Sequence, residues 1–317
     1  MLHARRQTGA YHAGVERDPA GPGVYAGPSP VAVLGVGGVG GVIAARTGAL
    51  CIAGERTATA IREGGLTLVH RGRTTVTHPQ TVERLERPVS LLVVAVKAPA
   101  LAEALERIEA FAVADGVVLP LLNGLEHPAV IRRRLGPRVA PGSISNFQAY
   151  AASPGHIVHE TATPLVTAAS DDVPSELLDR SLEPLRAAGF GVAVVGDERA
   201  VLWEKAGRLA PLAAATAASG LSVGGIRAHP DWWARLGSAI AESCAVATAD
   251  GVPLSARQQL AVIEAMPGTL TTSAARDVAA GRPSELDAIV GSVLRAAHRL
   301  GLTAPVLAEL LEEAQAA

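Results

Sequence analysis

The stretch Val31-Ala-Val-Leu-Gly35-Val-Gly37-Gly38-Val39-Gly40, continued by the small-residue run Gly41 to Thr47, decides how the rest of the chain is read. A short β-rich run, then glycines, then small residues predicts strand, tight turn and helix. In Gly35-x-Gly37-x-x-Gly40 the first glycine permits the turn and the second lets backbone approach a pyrophosphate. The third allows close helix-to-strand packing, and the helix N-terminus then offers free N–H groups to the anion. Taken alone, the pattern also describes a merely structural glycine turn. Its place after a strand, before a helix and at the start of the patterned chain points to dinucleotide binding, with Gly35, Gly37, Gly38, Val39 and Gly40 as candidate contacts.

Outward from this loop, the chain alternates apolar strands with helices. Strands are predicted over 49–53, 91–96 and 117–121, helices over 57–63, 100–112 and 127–135, and a hairpin over 66–77, followed by less regular β-rich segments through Val195. Continuous apolar strands separated by helices indicate a parallel sheet covered on both faces. From Glu198 the texture changes to long 3.6-period patterns, with helices predicted over 200–218, 232–249, 256–266 and 285–301 and a last one opened by Pro305. The expected division is an extension over residues 1–29, a dinucleotide-binding α/β domain over 30–196 and an all-helical domain over 197–317.

Composition narrows the function classes. At 317 residues and 49% hydrophobic, the chain is long enough for two cores. A formal charge of -2, dispersed arginines and only three each of Trp, Tyr and Phe leave neither an electrostatic footprint nor a stacking platform for nucleic acid. The run Arg132-Arg133-Arg134 reads as a solvated helix face. No apolar run reaches the roughly 18 residues that span a bilayer, and the first 29 residues lack the apolar centre of a signal peptide. A cytoplasmic setting and no membrane partner are therefore expected. Cys51 and Cys244 match no metal spacing and read as buried thiols, so no metal is expected.

Of the 28 basic residues only Lys97 and Lys205 are lysines. A guanidinium cannot give up its proton at neutral pH, whereas an amine can be tuned by burial to act as an acid, base or nucleophile. A lysine retained among arginines is thus a candidate for proton chemistry, although a biased codon pool explains two lysines equally well.

Several ordered motifs resemble the ketopantoate reductases, or 2-dehydropantoate 2-reductases: Gly35 to Gly40, Val94-Ala-Val-Lys97-Ala98, Leu122-Asn123-Gly124-Leu125, Leu202-Trp203-Glu204-Lys205, and Ser273-Ala-Ala-Arg-Asp277 through Ser284-Glu285-Leu286-Asp287. The resemblance spans about Val31 to Leu311. It implies a Rossmann-type domain followed by a helical domain that shapes the substrate cleft, and NADPH-dependent reduction of a small 2-oxo acid. By resemblance, Lys205 is the general acid and Glu285 shares the catalytic site. Lys97 and Asn123 hold the nicotinamide ribose and substrate, and Ser273 and Glu285 grip the substrate's ends. Each has a plainer reading: Asn123-Gly124 as a turn, Ser273 as a helix cap, Glu285 as a first-turn acid, Lys97 as a snorkelling strand end.

Three departures qualify the resemblance. Family members usually carry asparagines four and eight residues after the catalytic lysine, where this chain has Leu209 and Ala213, so the substrate wall is expected to be apolar. The interval from Gly40 to Gly54 is about four residues short, close to one helical turn. Gly54 stands where the family often places the arginine for the 2′-phosphate, so Arg56 is assigned that role and NADPH is preferred over NADH, with Glu55 favouring the latter. The expected function is reduction of a 2-oxo acid or related carbonyl compound in specialised metabolism. True ketopantoate reduction and dinucleotide binding without hydride transfer stand as alternatives, and a homodimer is left open.

Overall fold

Strand β1 (Val31–Leu34), buried at every residue, runs down the centre of a five-stranded parallel sheet in the computed structural model, which describes residues 30–161 and 163–317. The extension expected over residues 1–29 lies outside the described residues. After β1 come α1 (Gly38–Thr47), β2 (Leu50–Ile52), α2 (Glu55–Gly64), the hairpin β3 (Leu66–His70) and β4 (Arg73–Thr77), β5 (Thr81–Val82), β6 (Leu91–Val94), α3 (Leu101–Leu105) and β7 (Val117–Pro120). The sheet order is β5-β2-β1-β6-β7, all parallel. Numbered within this sheet alone, that is the 3-2-1-4-5 order of a Rossmann fold, whose ligand crevice opens at the carboxyl ends of β1 and β6, where the winding reverses. The helix α1 is short, as the interval to Gly54 required, and ends at Gly48, whose left-handed backbone (φ 66) returns its N–H to Ala44 O.

The next elements are α4 (His127–Leu135), β8 (Gly142–Ser145), β9 (Ala149–Ser153), β10 (His156–His159), β11 (Leu165–Ala168), α5 (Ser175–Ser181), α6 (Glu183–Ala187) and β12 (Gly191–Val194). They form two smaller mixed sheets, β4-β3-β10-β9 and β12-β11-β8. The first lies against the outer side of α1, so that Val42 and Ile43 share a core with Leu66 and Ile157. Two expectations fail here. The helix over 100–112 is only the short α3, flanked by 3₁₀ turns at Ala98–Ala100 and Ala110–Val113. Beyond α3 the backbone bonds Leu85 instead, through Leu85 N to Arg107 O (2.8 Å) and Glu109 N to Leu85 O (3.1 Å). The β-rich stretch through Val195 also contains α5 and α6, whose patterns are too short for period alone to reveal.

The remainder is helical: α7 (Glu198–Ser219), α8 (Val223–Ala228), α9 (Pro230–Ala249), α10 (Ala256–Glu264), α11 (Ser273–Ala279), a π turn at Asp287–Gly291 leading into α12 (Ser292–Arg299), and α13 (Pro305–Ala316). The central helix is α7, capped by Asp197 accepting from Ala200 N (3.1 Å) and packed by α9 and α13. Its fully buried Ala210, Ala213, Ala214 and Ala215 allow that close approach. Pro211 lies inside α7, leaving the Gly207 carbonyl without its usual i+4 donor. The helix predicted over 285–301 is interrupted by the π turn, and α8 was not expected.

Candidate active site

At the carboxyl end of β1, Gly35 adopts φ +93, and a Cβ there would lie 2.6 Å from Val96 Cγ1 and 2.9 Å from Val96 N. Only glycine lets this turn sit against the loop after β6. A Cβ on Gly37 would meet nothing within 4 Å, so its backbone faces open space. One on Gly38 would come 2.5 Å from Ala149 O in β9, and one on Gly40 would run into Gly35 O. Gly37 is the residue of the set whose bareness serves no internal packing, which fits a surface kept clear for a pyrophosphate. The first intrahelical bond runs from Gly41 N to Gly37 O (2.7 Å), leaving the amides ahead of it directed out of the helix. Val39 packs its half-buried side chain against the core.

Beyond β2, Gly54 caps α2 and both Glu55 and Arg56 are solvent-exposed, neither in an ion pair among the described residues. The Lys97 ammonium, in the loop after β6, donates to Asp277 Oδ2 of α11 at 2.7 Å. Asp277 is 5% exposed and is also held by Arg282 at 3.1 Å. The next backbone N–H, that of Ala98, donates to Glu285 Oε1 at 2.9 Å. Two adjacent residues at the end of β6 thus bind two buried carboxylates of the helical part.

Lys205 lies on α7, half-buried, in a narrow cleft lined also by Leu122, Gly124, Ser143, Leu209 and Ile289. Burial lowers its pKa to about 8, and Glu285 opposes that shift while Arg208 adds to it. Gly124 has φ +89, and a Cβ there would collide with the Ala288 carbonyl of the π turn. Asn123, beside it, is half-buried with no side-chain hydrogen bond among the described residues. Lys205 and Glu285 therefore come together where the carboxyl ends of β6 and β7 meet the helical part, with Lys97 next to the Ala98 amide that binds Glu285 and Asn123 next to Gly124 of the cleft.

The remaining candidate positions differ from one another. Leu209 lines the cleft, but Ala213 is fully buried in the helical core, because the helices packed on α7 enclose the next turn. The cap of α11 is Thr272, which accepts from Ala275 N at 3.2 Å, leaving Ser273 an exposed first-turn residue. Two residues without an expected role stand out: Asp277, which sits inside a quoted motif, and His127, the first residue of α4. His127 is 5% exposed, and neither ring nitrogen has a partner with hydrogen-bond geometry. Burial first, and then the charge of Lys205, push its pKa down to about 3, with a smaller opposing influence from the Gly124 backbone. The residue's burial is the only signal of this, and the sequence shows just a histidine before a proline. Among the described residues no cluster of His, Cys, Asp and Glu could hold a metal ion, and no helix is long and apolar enough to cross a membrane.

Comparison with known proteins gives consistent matches. A family model described as ketopantoate reductase PanE/ApbA matches residues 31–171, and its C-terminal counterpart matches 197–317. The 2-dehydropantoate 2-reductase of Halobacterium salinarum is 27% identical over 307 residues, covering 92% of this chain and 98% of its own. The uncharacterised oxidoreductase YkpB of Bacillus subtilis is 24% identical, covering 87% and 94%. Among solved structures, a PanE/ApbA family ketopantoate reductase from Ralstonia eutropha has a TM-score of 0.78 at 25% identity, covering 90% of this chain and 97% of that one. A D-mandelate dehydrogenase with NADH and anilino(oxo)acetate has a TM-score of 0.81 at 21% identity over the same shares, a likeness of fold.

Proposed function

This chain belongs to the ketopantoate reductase family, an NAD(P)H-dependent oxidoreductase by that membership, and we propose that it reduces a 2-oxo acid bulkier or less polar than ketopantoate, using NADPH. The observation that carries the reading is Lys205: an amine in a narrow cleft, with its pKa brought to about 8 and the carboxylate of Glu285 near enough to oppose that shift. In this reading residues 30–196 hold the cofactor and 197–317 shape the substrate side.

When bound, NADPH supplies the hydride that reaches the carbonyl carbon. Lys205 Nζ donates a hydrogen bond to the carbonyl oxygen and passes its proton there as negative charge develops, giving the 2-hydroxy acid. Glu285, fixed by the Ala98 N–H, keeps the amine protonated until that moment. The Asn123 amide orients the nicotinamide ribose and substrate, and the exposed Ser273 hydroxyl receives the substrate's carboxylate. Lys97, besides facing the dinucleotide, ties α11 through Asp277 to the end of β6. Catalytic roles go to Lys205 and Glu285, and contacts with the dinucleotide to the Gly35–Gly40 loop, Arg56, Lys97 and Asn123.

Leu209 supports the departure from ketopantoate. It lines the cleft one turn from Lys205, where an amide would hydrogen-bond a polar substrate. A second reading, true ketopantoate reduction, is favoured by the Halobacterium salinarum relative, which is matched over nearly its whole length. NADPH oxidation with ketopantoate and with branched and aryl 2-oxo acids separates the two. The proposal expects kcat/KM at least tenfold higher for a bulkier acid; ketopantoate as the best substrate would establish the second reading instead.

A further inference from the structure

In a Rossmann fold the residue that ends the second strand selects between NADH and NADPH. Here that place falls on Gly54, which has no side chain to select with. The place beside it is bordered all the same: among the described residues, its chain neighbours apart, the one atom within 4 Å of an ideal Gly54 Cβ is Nη2 of Arg107, in ordinary contact at 3.7 Å. Arg107 belongs to the segment after α3, on the far side of β6 in the sequence. Its backbone is pinned by the bond from Leu85 N to Arg107 O (2.8 Å), and its neighbour Ile108 is fully buried.

The guanidinium is held but unspent. Its side chain is 29% exposed, makes no hydrogen bond among the described residues, and has as ionic neighbour only Glu103 at 3.7 Å, itself 85% exposed. An exposed pair at that distance contributes little and yields readily to a better partner. A guanidinium presents a planar fork of donors that matches a phosphate. Arg56, exposed in the first turn of α2, adds a second positive charge beside Gly54.

Resting on the dinucleotide reading above, we infer that Arg107 is the residue that selects NADPH, holding the adenosine 2′-phosphate beside Gly54 in place of a side chain from the second strand. Arg56 then contributes general attraction rather than discrimination. Selection has in effect moved from the end of β2 to the segment following β6, and the bare Gly54 is what makes room for it. Gly54 has an ordinary backbone (φ -67), so an arginine can be introduced there without strain.

The test measures NADPH and NADH affinity by fluorescence titration for the wild type, Arg107→Ala, Arg107→Lys, Arg56→Ala, and Arg107→Ala combined with Gly54→Arg, with thermal melts confirming folding. Arg107→Ala should weaken NADPH at least tenfold and leave NADH within twofold. Arg107→Lys should fall between, since a point charge replaces the fork. Gly54→Arg should restore NADPH preference in the Arg107→Ala background. If wild type binds both cofactors and Arg107→Ala changes them equally or not at all, or if Arg56→Ala alone abolishes the preference, this inference is overturned while the reductase reading stands. A wild type that binds neither cofactor overturns the reductase reading and this inference with it.

Discussion

Lys205 and His127 face the same electrostatic problem and meet it differently. For Lys205, burial lowers the pKa from 10.5 to about 8, so at neutral pH the amine is still protonated but within reach of losing its proton. Carbonyl reduction should therefore decline as pH rises through about 8, in kcat/KM measured across pH, and the reverse oxidation of the 2-hydroxy acid should gain over the same range. His127, whose pKa falls to about 3, stays neutral in the folded chain. Unfolded, it takes up a proton near pH 6.5, so acidification below that value favours the unfolded chain by about 1.4 kcal/mol per pH unit until the folded pKa is reached. His127→Leu should shift the acid-unfolding midpoint, followed by circular dichroism, to lower pH. An unchanged midpoint would mean that the buried ring finds a partner. Lys205 stood out as a candidate in the sequence because lysine is scarce there and because it closes the Leu202–Lys205 motif of the family resemblance. His127 was not, since nothing in its type or spacing distinguishes an unpartnered core histidine from a satisfied one.

Elements show where pattern reading works and where tertiary contacts override it. The 3.6-period run of α7 and the uninterrupted apolar residues of β1 and β6 declare themselves, because burial on a stripe or on both faces is written into residue type. The stretch after β6 reads as a helix, but Leu85 captures its backbone between Arg107 and Glu109, a pairing no local pattern contains. On α7 the residues four and eight after Lys205 look equivalent by spacing, yet only Leu209 reaches the cleft. Leu209→Asn should lower kcat/KM for apolar 2-oxo acids and raise it for ketopantoate, each by about tenfold, the scale of one or two kcal/mol in a pocket contact. Ala213→Asn should instead destabilise the helical core by about 2 kcal/mol or more, as an unpaired buried amide does, with a lowered melting temperature. In the glycine loop, Gly37→Val should leave folding intact, since a Cβ there meets nothing within 4 Å, while cutting NADPH and NADH affinity at least tenfold in calorimetry. Unchanged affinity would make the loop structural only.

Across the whole molecule, the cleft exists because the two parts are fastened together around it. Lys97 holds Asp277, the Ala98 N–H holds Glu285, Glu126 pairs with Arg295 at 2.8 Å, and Arg132 donates to Glu198 at 2.9 Å. The order of motifs made Lys97 and Glu285 visible as candidates, but which carboxylate meets which cation depends on how the helical part sits on the sheet, and Asp277 acquires a purpose only there. The proposed function turns on Lys205 delivering a proton to a substrate oxygen, and a pair of substitutions tests that most directly. Lys205→Arg keeps the positive charge without a releasable proton, and Lys205→Ala removes both. With the best 2-oxo acid and saturating NADPH, both variants should lose about 10²-fold or more in kcat. Lys205→Arg should retain the lower KM of the two, and NADPH affinity should change by no more than a few fold. Near-normal kcat in Lys205→Arg would contradict the account, because the position would then supply only charge and the proton would come from another group.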